Sequence, residues 1–279
     1  MEYVHLSNGV SIPQIGFGTY PLKGENLKSA LSSAKNAGYV LFDTAYLYKN
    51  EKEIGEFLAN SNVDRNSVFL TSKLQGIQYI GRKRFLYLDK VSVQKAYKHS
   101  CKRLHTDYLD LYMLHSPFTG YCQAYRELIN LYEAGKVRAI GVSNFNVEEL
   151  SGLRQNCGIF PLINQIEIHP FNSQKRIIEF CKENNIQVEA YSPFGRGEIL
   201  NEIMNNGILK NIANVHNKTV GQVVLRWIVQ QGVIAIPRSS NCERQKENLD
   251  VFDFELTTEE MSLIDSLNQD RGLGKHFNH

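Results

Sequence analysis

Eight short apolar segments, each ending in polar residues and most followed by an amphipathic helical pattern, run through this chain of 279 residues. The predicted strands are residues 14–20, 39–45, 67–73, 109–115, 137–144, 161–169, 187–193 and 233–239. Near-continuous apolar runs such as residues 109–114 are typical of parallel strands covered on both faces. Eight such strands in a chain of this length predict an α/β fold, a closed (β/α)8 TIM barrel, as a single domain over residues 1–279.

A doubly wound open sheet is the alternative architecture. It requires a strand that leads into a glycine-rich turn and a helix, in the pattern G-x-G-x-x-G. The nearest match, Gly16-Phe-Gly18, is followed by Thr19-Tyr20-Pro21 rather than by a helix, which favours the barrel. Residues 3–12 read as a β-hairpin that turns at Asn8-Gly9, and we expect it to cap the bottom of the barrel.

Apolar residues at helical spacing predict the connecting helices. The predicted helices include residues 26–37, 121–134, 147–156, 173–184 and 220–231. Gly38, Gly135 and Gly158 follow three of them, as expected of helix ends. The single tryptophan, Trp227, lies in the last of these patterns and is expected in the core.

Composition argues against several classes of protein. A net charge of +2, with both signs spread along the chain, gives no electrostatic case for a nucleic-acid or membrane partner. Five cysteines without a C-x-x-C pair indicate reduced thiols in a cytoplasmic protein. Cysteine and histidine do not cluster at the spacing of metal ligands, so the sequence does not predict a metal site.

Three successive predicted strands end in groups that transfer or orient protons. Asp43, Lys73 and His115 lie at these ends, and the phenol of Tyr48 follows Asp43 by five residues. In a barrel the carboxyl ends of the strands share one rim, where enzymes of this fold place their catalytic groups. A lysine ammonium stabilises a neighbouring phenolate and so lowers the phenol pKa from about 10, and an aspartate holds the lysine in place. The set predicts a general acid for a carbonyl oxygen.

Each of these residues has a simpler interpretation when taken alone. Asp43 at a strand end could cap a helix, Lys73 could be solvated, and Tyr48 could be a packed aromatic residue. Tyr46, two residues before Tyr48, could be mistaken for the acid. Their joint occurrence on consecutive strand ends favours the catalytic interpretation.

Other strand ends carry hydrogen-bonding groups. Ser143, Asn144 and Gln165 have the donors and acceptors to hold a carboxamide, and Tyr191 could stack on a flat ring. The alternative for Ser143-Asn144 is a helix cap, a role that Asn146 could take instead. After the last strand, two arginines and two serines, Arg238, Arg244, Ser239 and Ser240, suit either a phosphate site or an ordinary solvated loop.

With these motifs the chain closely resembles the aldo-keto reductases, from residue 16 to residue 271. The resemblance is carried by D-T-A-x-x-Y-x-N-E at 43–51, T-S-K-L at 71–74, L-H-x-P at 114–117, G-V-S-N-F at 141–145, N-Q-x-E-x-H-P at 164–170 and I-P-x-S at 236–239. It implies a (β/α)8 barrel that binds NADPH without a Rossmann fold and reduces aldehydes or ketones. It also implies a catalytic tetrad of Asp43, Tyr48, Lys73 and His115, with Tyr48 as the acid.

The same resemblance implies the remaining contacts. Substrate would contact Tyr20, Tyr48 and His115. The implied cofactor contacts are Thr19, Ser143, Asn144, Gln165, Tyr191, Ser192, Arg238, Ser239, Ser240, Arg244, Glu247 and Asn248. The family usually has lysine where Arg238 stands, and since the positive charge is kept, NADP(H) is expected over NAD(H).

The chain departs from the family pattern in three places. Tyr20, Gln75 and Ser116 stand where close relatives usually carry tryptophan, which predicts a more polar or wider pocket. The loop at 76–90 is expected to be longer than its counterparts, as a lid, a basic contact or an insertion without a role. The tail after residue 271 is short, as in microbial reductases that accept small or varied carbonyl compounds.

Two alternatives to a general carbonyl reductase remain. One is a cofactor-binding regulatory subunit with little turnover. The other is an enzyme dedicated to one metabolite that works mainly as a dehydrogenase. By resemblance the protein is expected to be a monomer whose partner is a small carbonyl substrate.

Overall fold

The computed structural model describes residues 2–61, 63–75, 77–80, 83–86 and 90–273. The strands in this part of the chain are β1 (Tyr3–His5), β2 (Ser11–Pro13), β3 (Phe17–Gly18), β4 (Leu41–Asp43), β5 (Phe69–Leu74), β6 (Ile77–Ile80), β7 (Lys83–Leu86), β8 (Leu109–Leu114), β9 (Val137–Ser143), β10 (Ile163–Glu167), β11 (Gln187–Tyr191) and β12 (Ile234–Ile236). The helices are α1 (Gly24–Ala37), α2 (Glu51–Asn60), α3 (Lys90–Leu104), α4 (Tyr121–Glu133), α5 (Val147–Cys157), α6 (Lys175–Glu183), α7 (Gly197–Asn205), α8 (Gly207–His216), α9 (Val220–Gln230), α10 (Cys242–Leu249) and α11 (Thr258–Asp265).

Eight parallel strands form the barrel, in the order β3, β4, β5, β8, β9, β10, β11 and β12. The first and last strands also meet, since the backbone amides of Gly16 and Gly18 donate to the carbonyls of Ala235 and Pro237 at 2.9 and 3.0 Å. The predicted barrel and its eight strands are confirmed.

The first barrel strand is shorter than predicted, with two regular residues in place of residues 14–20. Its partner on the closing side, β12, ends at Ile236, and the nitrogen of the following Pro237 carries no hydrogen and so cannot extend the ladder. Both neighbours also approach closely at Gly16: a Cβ there would lie 2.6 Å from the side chain of Leu41 in β4 and 2.9 Å from that of Ile236 in β12. Glycine is therefore required where the barrel closes.

The hairpin of β1 and β2 covers the amino end of the barrel, as predicted. Its turn is at Gly9, which has a φ of 84°, and the amide of Leu6 donates to the carbonyl of Val10 at 2.9 Å. Leu6 and Ile12 are buried in one cluster with the first residues of three barrel strands, Phe69, Ile163 and Ile234. This end of the barrel is therefore filled with apolar side chains.

Helix ends follow the predicted signals. Gly38 and Gly158 end α1 and α5 in the left-handed region, with φ of 103° and 84°. Asn146 caps α5 in a capping box with Glu149, so Ser143 and Asn144 are not needed for that role.

Trp227 is fully buried in α9, as expected. Within the described ranges, each helix is too short or too polar to span a membrane.

The long segment after β5 contains a hairpin. β6 pairs with β7 in antiparallel register, with Ile77 opposite Leu86. Residues 76, 81–82 and 87–89 lie outside the described part of the chain. The predicted lid or basic contact depends on these residues and stays a prediction.

A buried carboxylate ties the amino ends of three barrel strands together. Asp110, the second residue of β8, is fully buried and accepts hydrogen bonds from Arg65 and Arg138, each at 2.7 Å. It also accepts the backbone amide of Leu70 at 2.9 Å. This buried charge serves stability, because it lies at the end of the barrel opposite the polar rim.

Replacing Asp110 with alanine is expected to lower the free energy of unfolding by about 3 kcal/mol, because it leaves a partly buried guanidinium and a buried amide without their partner. Arg138→Ala is the matched control, since the Arg138 side chain is 48% exposed and its pair contributes about 1 kcal/mol or less. Urea denaturation measures both. Equal, small losses for the two variants would contradict this account.

Candidate active site

The four predicted catalytic groups lie together at the carboxyl ends of the strands. Asp43 is the last residue of β4, Lys73 the fifth of the six residues of β5, and His115 directly follows β8. A single turn of 3₁₀ helix at Tyr46–Tyr48 brings the Tyr48 hydroxyl to 3.3 Å from Nζ of Lys73. The topology that the sequence predicts thus brings the acid, the amine, the phenol and the imidazole into one site.

The Lys73 ammonium is fully buried and fully engaged. Its Nζ lies 2.6 and 2.7 Å from the two carboxylate oxygens of Asp43, and it donates to the Thr44 carbonyl at 3.2 Å. Burial alone lowers the pKa of Lys73, but the Asp43 charge and its hydrogen bonds to Nζ, together with the neighbouring Tyr48 hydroxyl, outweigh burial and hold the pKa above its usual range. Lys73 therefore carries a permanent positive charge directly beside the Tyr48 hydroxyl.

Tyr48 keeps its proton at neutral pH. Burial raises its pKa above the ordinary value of 10.0, while the Lys73 charge and hydrogen bond oppose that rise. The expected lowering by Lys73 is present, but burial is the larger effect, so the predicted net lowering of the Tyr48 pKa is wrong. A protonated phenol held against an ammonium is suited to donate a proton.

His115 is a neutral imidazole. Burial and the nearby Lys73 charge lower its pKa to about 3. Its Nδ1 is buried and has no hydrogen-bond partner among the described residues. The His115 ring stands edge-on to that of Tyr48, with the centroids 5.6 Å apart. A neutral imidazole at this place can orient a carbonyl group without adding a charge.

Two polar networks fix the loop that carries Tyr48. Buried Asn50 accepts from the Thr44 hydroxyl at 2.7 Å and donates to the Leu22 carbonyl at 3.1 Å. Glu51, at the start of α2, accepts from Ser72 at 2.6 Å and from Arg103 at 2.7 Å. Ser72 precedes Lys73 in β5, so this pairing ties the loop to the strand that carries the ammonium.

Tyr46 lies on the other side of that loop. Its ring packs under the Arg103 guanidinium, 5.2 Å from the centroid, whereas Tyr48 contacts Lys73. Of the two tyrosines that could be confused in the sequence, Tyr48 is thus the one beside the Lys73 ammonium.

The predicted carboxamide-binding residues form a connected group beside the tetrad. Gln165 donates to Oδ2 of Asp43 at 2.9 Å. Asn144, in the left-handed region at φ 62°, donates to the His115 carbonyl at 3.2 Å and accepts from the Tyr191 hydroxyl at 2.8 Å. Ser143 accepts from Asn144 at 3.1 Å. The Tyr191 ring is therefore held in a fixed orientation at the rim.

Three arginines, Arg196, Arg238 and Arg244, lie close together at the other end of the site. Burial of part of the side chain, together with the guanidinium groups of Arg196 and Arg244, lowers the pKa of Arg238. Three guanidinium groups this close repel one another unless an anion lies between them. Such a group is well suited to phosphate, which a guanidinium binds through two hydrogen bonds.

One cavity of about 810 Å³ joins the tetrad to the arginines. The predicted site residues that line it are Tyr20, Asp43, Tyr48, His115, Ser143, Asn144, Gln165, Tyr191, Ser192, Arg238, Ser239, Arg244, Glu247 and Asn248. Lys73 lies buried beneath its floor. The cavity therefore connects a proton donor with a site for phosphate.

Thr19 and Ser240 are placed differently from the other predicted cofactor contacts. Thr19 is fully buried and its hydroxyl donates to the Asp43 carbonyl at 2.8 Å. Ser240 is exposed. Neither is among the described residues that line the cavity. Gln75 and Ser116, which replace tryptophans of the family pattern, are buried and do not line it either.

Arg196 is a cavity residue that the sequence reasoning missed. Its Nε donates to the Ser192 hydroxyl at 3.0 Å, and its guanidinium packs over the Tyr20 ring, 4.9 Å from the centroid. It lies between Gly195 and Gly197, both with positive φ, in the turn after the seventh barrel strand. A basic residue between two glycines at this position is a recognisable phosphate-site signal.

The chain also matches known proteins along nearly its whole length. The family model of the aldo/keto reductase family matches residues 14–269. The chain is 43% identical to the glyoxal reductase of Bacillus subtilis (strain 168), over 98% of this chain and 95% of that one. It is 35% identical to a methylglyoxal reductase of Escherichia coli O157:H7, over 97% and 95% of the two chains.

A solved structure agrees with the fold. An aldo-keto reductase of Bombyx mori in complex with NADP superposes with a TM-score of 0.86 at 33% identity, covering 97% of this chain and 94% of that chain. The barrel and these matches together identify a (β/α)8-barrel oxidoreductase. The chain belongs to the aldo/keto reductase family.

Proposed function

We propose that this protein reduces small aldehydes and ketones to alcohols with NADPH, and that Tyr48 is the proton donor. The observation that carries the proposal is the Lys73 ammonium, which contacts the Asp43 carboxylate at 2.6 Å and the Tyr48 hydroxyl at 3.3 Å beneath an open cavity. When bound, the nicotinamide supplies the hydride for the carbonyl carbon.

Each member of the tetrad has a distinct task in this proposal. Tyr48 donates its proton to the carbonyl oxygen as negative charge develops there. Lys73 stabilises the phenolate that remains, and Asp43 holds Lys73 within reach. His115, neutral because of its lowered pKa, orients the carbonyl oxygen toward the Tyr48 hydroxyl.

The residues around the cavity fit an extended dinucleotide phosphate. Arg238, Ser239 and Arg244 would hold a ribose phosphate, and Glu247 and Asn248 lie beside them to meet the adenine. Ser143, Asn144, Gln165 and Tyr191 would hold the nicotinamide at the tetrad. The charge of Arg196 acts on both Tyr48 and Arg238, so Arg196 lies between these two groups. In an extended dinucleotide the pyrophosphate would occupy this position.

The arginines predict which cofactor binds more tightly. NADPH is expected to bind at least about tenfold more tightly than NADH, because only NADPH carries the phosphate that pairs with Arg238 and Arg244. The double variant Arg238→Ala/Arg244→Ala should lose that preference and leave NADH affinity nearly unchanged. Titration of both cofactors by protein fluorescence measures this.

Lys246→Ala is the matched control for this prediction. Lys246 lies on the same helix, α10, but its side chain is 64% exposed and pairs with Glu243. Its removal should leave both affinities as in the wild type. Equal affinity of the wild type for the two cofactors would contradict the proposed phosphate site.

Small α-dicarbonyl compounds are the substrates we favour. The two relatives above are a glyoxal reductase and a methylglyoxal reductase. NADPH consumption with glyoxal, methylglyoxal and 4-nitrobenzaldehyde tests this. Turnover with none of the three would instead support a cofactor-binding regulatory protein, whereas faster turnover of the alcohols with NADP⁺ would support a dehydrogenase.

A further inference from the structure

A second acid is buried beneath the tetrad. Glu189, the middle residue of β11, is fully buried, and neither of its carboxyl oxygens has a hydrogen-bond partner among the described residues. It lies in register with Gln165 of the neighbouring strand. Residues in register on adjacent parallel strands face the same side of the sheet, so both side chains face the barrel interior.

Glu189 belongs to the same electrostatic group as the tetrad. The charged groups that act on it are Asp43 from β4 and Lys73 from β5. Gln165, from β10, links the group by donating to Asp43 at 2.9 Å. The Lys73 charge is already balanced by Asp43, so a charged Glu189 would leave one uncompensated negative charge in the barrel interior. Gln165 is the hydrogen-bonding group beside Glu189, and its amide nitrogen also serves Asp43, so a charged Glu189 would be buried with little hydrogen bonding, which is strongly unfavourable.

Glu189 is therefore a neutral carboxylic acid at neutral pH. Burial and the nearby Asp43 charge raise its pKa to about 8, against the opposing effect of Lys73. His115 stays neutral throughout this range, since its pKa is about 3. Above about pH 8, the group formed by Glu189, Asp43 and Lys73 has one more negative charge than it has at lower pH.

We propose that Glu189 is a positioning residue that acts on Tyr48 through the Lys73–Asp43 pair and sets how readily Tyr48 gives up its proton. The inference rests on the proposed role of Tyr48 as the proton donor. Lys73, Asp43 and Arg196 are the charged groups that act on Tyr48 directly. The negative charge of an ionised Glu189 partly offsets the positive charge of Lys73, which stabilises the Tyr48 phenolate. A charged Glu189 therefore opposes formation of that phenolate.

The consequence differs between the two directions of the reaction. Reduction of a carbonyl needs the Tyr48 phenol, and oxidation of an alcohol needs its phenolate. A charged Glu189 keeps Tyr48 protonated in alkaline solution, so it sustains reduction and restrains oxidation. Removing this charge should therefore favour alcohol oxidation, and only above the pH at which Glu189 ionises.

The test compares Glu189→Gln and Glu189→Met with the wild type. The ratio of variant to wild-type kcat for alcohol oxidation with NADP⁺ should rise by about fivefold between about pH 7 and about pH 10, because only the wild type gains a negative charge there. Two uncharged replacements of similar shape are used, so that the result does not depend on how one of them packs.

Stability gives a second readout that does not depend on activity. The folded chain holds the Glu189 proton up to about pH 8 and the unfolded chain releases it near 4.5, so raising the pH between these values favours unfolding of the wild type only. The free energy of unfolding of Glu189→Gln relative to wild type should therefore increase across this range. Glu127→Gln is the matched control for the kcat ratio, since Glu127 is a glutamate on α4, outside the barrel and away from the tetrad.

A pH-dependent rise in both readouts for the Glu189 variants, without a rise in the kcat ratio for Glu127→Gln, supports the inference. A kcat ratio that stays constant with pH, in an enzyme whose Tyr48→Phe variant is inactive, overturns the inference but not the proposed function. Absence of turnover by the wild type in either direction overturns both.

Discussion

Tyr48→Phe should lower kcat for carbonyl reduction by about a hundredfold to ten-thousandfold, which is the usual contribution of a positioned general acid. The substitution removes only the hydroxyl that lies 3.3 Å from Lys73 and leaves the ring against Tyr20 and His115. NADPH affinity should stay close to that of the wild type, because the predicted phosphate and carboxamide contacts are unchanged. Steady-state kinetics with methylglyoxal and a fluorescence titration measure the two effects.

Tyr46→Phe is the matched control for that variant. It removes the same hydroxyl from the same turn, but on the ring that packs under Arg103 rather than beside Lys73. Its kcat should remain within about twofold of the wild type, since the Tyr46 ring contacts Arg103 and not the Lys73 ammonium. Loss of turnover in both variants would mean that the turn, rather than one proton, had been disturbed.

Lys73→Met should also abolish most turnover, by a different route. Without the ammonium, the main effect that offsets burial of Tyr48 is lost and only Arg196 still opposes it, so the Tyr48 pKa rises further and the phenolate left after proton donation is poorly stabilised. We expect kcat to fall by about a hundredfold or more. Alcohol oxidation should require a more alkaline pH than in the wild type, because it needs that phenolate.

The same variant should be less stable. It leaves the Asp43 carboxylate buried beside Gln165 without its cation, a loss of about 3–5 kcal/mol in the free energy of unfolding. Adding Asp43→Asn removes the unpaired charge, so the double variant should recover much of the stability and none of the activity. A double variant that recovers turnover would show that Lys73 only holds the fold.

Much of the fold could be predicted because its signals are local. Apolar runs with polar ends identified eight parallel strands, and Gly38 and Gly158 marked helix ends that only a left-handed residue can form. Asn8-Gly9 identified the hairpin. Strand lengths were less predictable, because they depend on which partner a strand meets when the barrel closes, as Pro237 shows for β3.

The tetrad could be predicted from the order of strand ends, since the barrel brings consecutive ends to one rim. The pKa values of the site could not be predicted from the sequence, because they depend on burial, and burial is a property of the assembled barrel. The sequence correctly predicts that Lys73 lowers the Tyr48 pKa, but not that burial outweighs it. Glu189 was missed for the same reason: in the sequence it is one polar residue between Val188 and Ala190, and only closure of the barrel buries it.

Arg196 was missed although a signal was present. The Gly-Arg-Gly run at 195–197 follows the seventh strand, but its meaning depends on Tyr20, which lies far away in the sequence and under the guanidinium in the fold. Glu51 is similar, since its partners Ser72 and Arg103 come from β5 and α3. Contacts between distant segments become visible only once the strand order is known.

In the proposed reaction, Tyr48 gives its proton to the substrate while Lys73 stabilises the phenolate that remains. Single-turnover reduction of methylglyoxal by the preformed NADPH complex, followed by NADPH absorbance, tests it most directly because cofactor binding and product release do not limit the rate. We expect the rate to fall by about a hundredfold or more for Tyr48→Phe, and to equal the wild-type rate for Tyr46→Phe. A Tyr48→Phe complex that turns over at about one tenth of the wild-type rate or faster would contradict it.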